Sequence, residues 1–146
     1  MSEFKVKGLR DLEKKLLQIS KQYGAKKANS ALRTPLRNAM SPVKDEVVTN
    51  TPKDTGALAE STKLRVRQPG KAIKPDNKDV TLIASVGWET NKKQQIAVEY
   101  GTSNVEAQPT LRPALERNQQ EIAKRFAKEL GKSIERTSKR LSKGKK

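Results

Sequence analysis

The 146-residue chain contains neither cysteine nor histidine. Without these residues it forms no disulfide, has no thiol nucleophile and lacks the side chains of ordinary zinc sites. Acid–base catalysis by histidine is excluded for the same reason. The chain therefore lacks the residues that most familiar enzyme mechanisms use. We predict that it is not an enzyme and uses no metal or cofactor.

Aromatic residues and long apolar runs are also scarce. Aromatic side chains make up 3% of the sequence, so a core must be built from leucine, isoleucine, valine and alanine. Such a core buries little apolar area to offset the entropy lost on folding, which favours further burial against partner chains. No run approaches the roughly 20 apolar residues of a membrane helix, and the start MSEFKVKGLR has no apolar signal segment. We therefore expect an oligomer that is made in the cytoplasm and has no membrane partner.

Positive charge is what the chain has in excess. Lysine and arginine number 32 against 16 acidic residues, which gives a formal net charge of +16. The last thirty positions carry half of this excess, because 117–146 contains eleven basic and three acidic residues. An anionic partner, either nucleic acid or an acidic protein surface, is the natural expectation. We predict a single domain over residues 1–135 and a solvated basic tail over 136–146.

Helical periodicity marks the two ends of the predicted domain. Apolar residues recur at steps of three and four over 9–23, which predicts a helix that ends at Gly24. Apolar residues recur at the same spacing from a helix start near 109–113 and become sparse after Ile134. This pattern predicts a long C-terminal helix.

A second helical pattern covers residues 25–50 but contains two prolines. Pro35 and Pro42 each remove a backbone donor and crowd the preceding turn. We therefore expect a kinked or two-part helix, with Thr34 and Ser41 as N-caps where it restarts.

Four segments alternate apolar and polar residues with the period of a strand. They are EFKVKG (3–8), STKLRVRQ (61–68), DVTLIASVGW (79–88) and QQIAVEYGT (94–102). One apolar face per strand is typical of an antiparallel sheet that helices cover on one side. We predict an α+β fold, with a small antiparallel sheet of about four strands packed by the N-terminal, the kinked second and the C-terminal helices.

The candidate catalytic and ligand motifs are weak. The stretch GKAIKP (70–75) lacks both the first glycine and the hydroxyl residue of a phosphate-binding loop. Ser61 near Lys63 resembles a nucleophile–base pair, but such pairs arise by coincidence in a lysine-rich chain. Three carboxylates have no calcium-loop spacing and are better interpreted as solvated charges, namely Asp45, Asp54 and Glu60.

Nucleic-acid binding is the main alternative that composition leaves open. Phosphate contacts require only lysine and arginine, which are plentiful here. Sequence or single-strand recognition usually also needs aromatic platforms or a recognition helix, and five aromatics with mainly core spacing supply neither. A small basic nucleic-acid-binding protein therefore remains the second hypothesis.

Three ordered motifs carry a more specific signal. The stretch PKDTGALAES (52–61), followed by VEYGTS (98–103) and AQPTLRPALE (107–116), resembles the tail-completion, or neck, proteins of long-tailed bacteriophages. That family combines a leucine-rich N-terminal helix, a Pro-x-x-Thr-Gly-x-Leu turn, a Glu-aromatic-Gly-Thr strand end and a Pro-aromatic-Leu-Arg-Pro-Ala helix start. The resemblance covers roughly residues 4 to 135. The matching residues are Pro52, Asp54, Thr55, Gly56, Leu58, Glu99, Tyr100, Gly101, Thr102, Pro109, Leu111, Arg112 and Pro113.

The first motif also has a physical interpretation of its own. Asp54 or Thr55 is expected to cap following amides, Gly56 to permit a tight turn, and Leu58 to return an apolar anchor to the core. The chain departs from the family at two positions, where Thr110 replaces a common aromatic residue and Thr62 a common isoleucine or leucine.

The resemblance implies a structural virion protein at the head–tail interface, assembled in the host bacterial cytoplasm. It implies a ring, expected to have six subunits, around the DNA channel, which joins the tail terminator or tube to head-completion or connector proteins. Genomic DNA would pass without sequence-specific binding. Because a positively charged channel would retard DNA, we expect the excess charge to face acidic neighbours or solvent. The edge strands and loop 68–79 are candidate contacts, and the candidate interface lysines are Lys71, Lys74, Lys124, Lys128 and Lys132.

Overall fold

The structure, a computed structural model, describes residues 8–70 and 80–144. Within them five helices and two strands follow one another along the chain, and the strands pair in a small antiparallel sheet. The order is α1 (Leu9–Tyr23), α2 (Ala25–Asn50), α3 (Ala57–Glu60), β1 (Thr62–Arg67), β2 (Ile83–Trp88), α4 (Lys92–Tyr100) and α5 (Leu111–Lys143). The α+β class is confirmed in broad terms, but the described residues form two strands where we predicted about four.

The strand predicted over residues 94–102 is wrong, because this segment forms α4. Asn91 caps the helix by accepting a hydrogen bond from the backbone amide of Lys93 at 3.0 Å, and Gly101 ends it. The alternation of Ile96, Val98 and Tyr100 covered only three apolar positions, too few to distinguish a strand from a short helix. The predicted strand over 3–8 lies, apart from Gly8, outside the described residues.

The two remaining strand predictions are confirmed. In β1 the side chains of Thr62 and Val66 are buried, while Lys63, Arg65 and Arg67 are exposed. This is the alternation expected of a strand with one covered face. Strand β2 lacks a comparable alternation, because its residues from 83 to 87 are all half-buried.

Residue contacts divide the chain into two compact units. The first comprises the described residues of 1–39, 66–84 and 120–146, and the second comprises 40–65 and 85–119. Both units are discontinuous in sequence, and a single domain over 1–135 stays a prediction.

The core of the first unit is aliphatic, as the low aromatic content indicates. Ile19, Ala28, Leu130 and Ile134 form its buried cluster. Six half-buried apolar side chains pack against it: Leu12, Leu16, Tyr23, Leu32, Phe126 and Leu141. The helix predicted over 9–23 and its end at Gly24, which has a φ of 89°, are both confirmed.

The last helix is longer than its apolar stripe suggests. It begins at Leu111, inside the predicted start region, and continues to Lys143. Thr137 is buried and Leu141 packs against the cluster of the first unit, so tertiary contacts extend beyond Ile134. Most of the segment 136–146, which we expected to be a basic tail, is therefore part of α5.

Helix α2 runs without a break from Ala25 to Asn50, so the two-part alternative is wrong and Thr34 and Ser41 lie inside the helix. A proline at position 35 deprives the carbonyl of Ala31 of its usual helical donor. The hydroxyl of Ser133 on α5 donates to that carbonyl at 2.7 Å, and Pro35 itself is fully buried. The freed acceptor is therefore satisfied from another helix.

We expect Ser133→Ala to destabilise the protein by about 1 kcal/mol, since it removes a half-buried hydrogen bond and leaves the Ala31 carbonyl unpaired. In the Pro35→Ala background, Ser133→Ala should lower the free energy of unfolding by only about half as much. The backbone amide at position 35 can then donate to the carbonyl of Ala31. Urea unfolding of the four proteins in this double-mutant cycle measures the difference. Equal losses in the two backgrounds would contradict this account of Ser133.

Candidate functional site

All three motif segments, 52–58, 99–102 and 109–113, lie in the second unit. The segments come from different elements: the turn before α3, the end of α4 and the start of α5. Their grouping in one unit makes this part of the chain the candidate functional site.

The first motif forms a tight turn after α2. Gly56 has a φ of 81° and stands directly before α3, and Leu58 is buried, as the sequence predicts. Thr55 Oγ1 accepts from the amide of Ala57 at a long distance of 3.4 Å, while Asp54 is exposed. The polar contact of this turn therefore comes from Thr55, and Gly56 supplies the conformation that other residues rarely adopt.

A buried polar contact fixes the chain just before this turn. Thr51 is 2% exposed, and its hydroxyl donates to the carbonyl of Val47 in the last turn of α2. The same oxygen accepts from Trp88 Nε1 at 3.2 Å, and Gln95 Nε2 donates to the carbonyl of Trp88 at 3.0 Å. The side chain of Trp88, 37 residues away, thus helps to position the segment that leads into Pro52.

Glu99 joins the second motif to the third. Its Oε2 accepts from the backbone amides of Thr110 at 2.8 Å and Leu111 at 3.1 Å, and its Oε1 accepts from the amide of Arg112 at 3.1 Å. These amides open α5 and have no acceptor within the helix. A carboxylate also complements the positive end of the helix dipole. Glu99, predicted as part of a strand end, is therefore the cap of the long C-terminal helix.

Gly101 and Thr102 shape the loop between these motifs. Gly101 has a φ of 75°, and a β-carbon there would lie 2.9 Å from both the Val105 carbonyl oxygen and the Ala107 amide nitrogen. Thr102 Oγ1 accepts from the amide of Val105 at 3.1 Å, and the Thr102 amide donates to the Val105 carbonyl at 2.8 Å. Hydrogen bonds between Thr102 and Val105 thus hold the two sides of the loop together.

Large apolar side chains are exposed around this loop. Tyr100 is 78% exposed, Ile96 lies one turn earlier on the same face of α4, and Val105 and Leu115 are also exposed. Arg112 lies near the tyrosine, and its hydrogen bond to Glu116 at 2.9 Å raises the pKa of Arg112 above its ordinary value. The surface beside the motifs therefore combines exposed apolar groups with a charged pair.

The two residues that depart from the family pattern are both buried. Thr110 is 3% exposed, and its hydroxyl donates to the carbonyl of Gln108 at 3.1 Å. Thr62 is also 3% exposed, and its hydroxyl has no partner among the described residues. An unpaired buried hydroxyl lowers stability because its hydration is lost without compensation.

We expect Thr62→Val to raise the free energy of unfolding by about 1 kcal/mol, because a methyl group of equal size replaces the unpaired hydroxyl. Thr110→Val is the matched control and should lower it by about 1 kcal/mol, since that hydroxyl is paired. Chemical denaturation compares the two variants. A loss of stability in Thr62→Val would contradict the assignment of an unpaired hydroxyl.

The candidate interface lysines that the structure describes lie in the first unit. Lys124, Lys128 and Lys132 are spaced at every fourth position of α5. Lys132 Nζ is 3.7 Å from Glu129, whose pKa is lowered mainly by a hydrogen bond from Asn38 and further by Lys132. Lys71, Lys74 and most of loop 68–79 lie outside the described residues.

Two negative findings concern the part of the chain that the structure describes. It contains no group of three or more acidic side chains placed to hold a metal ion. None of its helices combines the length and the apolar character needed to cross a membrane.

Comparison of the chain with protein-family models, with curated proteins and with solved structures found no match. The resemblance to phage neck proteins therefore rests on the motif residues and their order, and it stays a prediction.

Sequence reasoning identified the motif residues but missed how they are connected. The role of Glu99 was not recognised, because the amides that it caps are 11 to 13 residues further along the chain. The sequence signal that could have indicated this cap was the carboxylate of Glu99 upstream of the Pro-Thr-Leu-Arg-Pro helix start. The contacts of Thr51 with Trp88, 37 residues away, left no comparable local signal.

Proposed function

We propose that the protein is a structural virion protein of a tailed bacteriophage, a tail-completion or neck protein that joins tail to head. The observation that carries the proposal is the gathering of the three motif segments in the second unit, where Glu99 links the second motif to the third. Each motif has a folding or surface role, and none supplies a catalytic group. In a protein that assembles by shape, such residues define the function.

In this proposal the protein forms a ring of six subunits at the head–tail interface, around the DNA channel. Ring closure requires two different complementary surfaces on each subunit. The exposed side chains of Ile96, Tyr100, Val105 and Leu115 support an apolar contact for one of them, since aromatic residues often anchor interfaces. The neighbours along the tail axis would be the tail terminator or tube and the head-completion or connector proteins.

The test is deletion of the gene in the source phage or prophage, followed by negative-stain electron microscopy of the induced lysate. Filled heads beside unattached tails, restored to whole particles by the gene in trans, are the expected result. Complementation with Tyr100→Ala should restore fewer particles than complementation with the wild type. Intact, infectious particles without the gene would overturn the proposal.

We expect the triple reversal of Lys124, Lys128 and Lys132 to glutamate to reduce head–tail joining by about tenfold at physiological salt, since weak surface contributions add across three sites. The matched control reverses three exposed lysines of the first unit that lie on α1 and α2: Lys14, Lys21 and Lys27. Plaque counts and particle imaging after complementation measure joining. If the Lys124, Lys128 and Lys132 reversal joined heads to tails as well as the wild type, the proposal that these lysines contact an acidic neighbour would be wrong.

The second candidate function is non-specific nucleic-acid binding, which the charge of residues 117–146 favours. A DNA affinity of the isolated protein that falls steeply and linearly on a log–log plot against salt would support it. A weak affinity with little salt dependence, together with the joining defect, would favour the neck protein.

A further inference from the structure

We propose that the first unit contains a binding site for a phosphate group, in a groove between α2 and α5 that is lined by Arg136 and Arg140. The groove encloses about 260 Å³. It lies wholly among residues 30–35 and 129–140, which belong to the first unit, whereas the motif residues belong to the second. The site is therefore separate from the three motif segments.

Hydrogen-bond donors approach the groove from both helices. Ser30 and Thr34 lie four residues apart on α2, and Arg136 and Arg140 lie four residues apart on α5, so each pair shares one helix face. Thr137, between the arginines, is only 6% exposed yet lines the groove. Its hydroxyl adds a further donor to the residues that line the groove.

These donors are not used elsewhere in the described part of the chain. The hydroxyls of Ser30, Thr34 and Thr137 make no hydrogen bond there, and neither arginine forms an ion pair. Other arginines of α5 do have carboxylate partners: Arg112 with Glu116, Arg117 with Glu46 and Arg125 with Glu121. Among the described residues, the groove thus retains two guanidinium groups that form no direct ion pair.

One carboxylate, Glu129, also lines the groove. It accepts from Asn38 Nδ2 at 3.2 Å and is 3.7 Å from Lys132 Nζ, so its charge is partly compensated outside the arginine pair. The hydrogen bond from Asn38, then Lys132 and last Arg136 lower the pKa of Glu129 below its ordinary value. The two arginines together with Lys132 outnumber this one carboxylate, so positive charge remains in excess beside the three hydroxyls.

Phosphate fits this set of donors better than a carboxylate does. A free phosphate ion offers four oxygens as acceptors, while a carboxylate offers two, and two guanidinium forks with three hydroxyls exceed what a carboxylate needs. The phosphate could be free or part of a nucleic-acid backbone. Both sources present anionic oxygens bound to phosphorus to the guanidinium groups, but a backbone diester presents two of them, whereas the free ion can accept from more of the donors.

The test is isothermal titration calorimetry of the full chain at fixed ionic strength with inorganic phosphate, acetate and a short DNA duplex as separate titrants. We expect saturable binding of one phosphate per chain and at least tenfold weaker binding of acetate. Arg136→Gln combined with Arg140→Gln should weaken phosphate binding at least tenfold, and Thr34→Val about fivefold. The matched control, Lys124→Gln with Lys128→Gln, removes the same charge from the same helix outside the groove and should stay within twofold.

Each outcome has a defined meaning. Duplex binding that depends on the two arginines more than on the two lysines identifies a backbone phosphate as the ligand, while binding of inorganic phosphate alone identifies the free ion. No saturable binding, equal binding of acetate, or equal losses in the arginine and lysine variants would overturn the proposal. If circular dichroism finds the arginine variant unfolded, Thr34→Val decides, because an unchanged affinity there also overturns it. None of these results bears on the gene-deletion test of head–tail joining.

Discussion

Glu99→Ala is expected to lower the free energy of unfolding by about 2–3 kcal/mol, because it removes a charged acceptor from three backbone amides at once. Those amides open α5, and Thr110 among them is buried, so water replaces the carboxylate incompletely. Glu99→Gln keeps one oxygen acceptor but loses the charge, and a loss of about 1 kcal/mol is expected. Urea unfolding monitored by circular dichroism measures both variants.

The control for this substitution is Glu116→Ala. Glu116 carries the same charge and lies on the exposed side of α5, where it pairs only with Arg112 among the residues that the structure describes. An exposed pair of this kind contributes less than about 1 kcal/mol. If Glu99→Ala and Glu116→Ala proved equally mild, the capping role of Glu99 would be wrong.

Gly101→Ala is expected to destabilise the protein by about 3–4 kcal/mol, the largest effect that we predict for a single methyl group. Two free-energy costs add. One comes from the left-handed φ of 75°, and the other from the approach of the new β-carbon to within 2.9 Å of two backbone atoms. Backbone cannot move aside as a flexible side chain can, so the loop that follows α4 has to open. Loss of thermal stability and faster amide exchange in residues 102–108 would report this opening.

Gly56→Ala measures the cost of a positive φ in the absence of a steric contact. Gly56 has a similar φ of 81°, but no atom lies within 4 Å of the position that a β-carbon would occupy, so only the backbone term of about 1–2 kcal/mol applies. Gly87→Ala adds neither term, because Gly87 has ordinary backbone and open space around it. A loss for Gly101→Ala no larger than that for Gly56→Ala would refute the steric part of the argument.

Glu99 and Gly101 both belong to the connection from α4 to α5. Glu99 holds the start of α5, and Gly101 lets the chain turn so that the carboxylate reaches it. The exposed side chain of Tyr100 stands between them. If Tyr100 contacts a neighbouring subunit, as proposed, then either substitution should also weaken assembly, because the tyrosine depends on this connection for its position.

The sequence by itself determined the elements that depend on neighbours along the chain. The periodicity of α1 and its end at Gly24, the alternation of β1, the turn at Gly56 and the start of α5 each follow from residues within a few positions of one another. Local backbone preference and the burial of one face are sufficient to specify such features.

Tertiary structure decided the features whose partners are distant in sequence. Continuity of α2 through Pro35 is supported by Ser133, which is 102 residues from the acceptor Ala31. The capping of α5 by Glu99 and the opposed donors of the arginine groove also join separate elements. The strand predicted over 94–102 was wrong, and α4 covers most of this segment, since three alternating residues carry too little information. A hydrogen bond between distant segments leaves no periodic trace in the sequence, so only the folded chain reveals it.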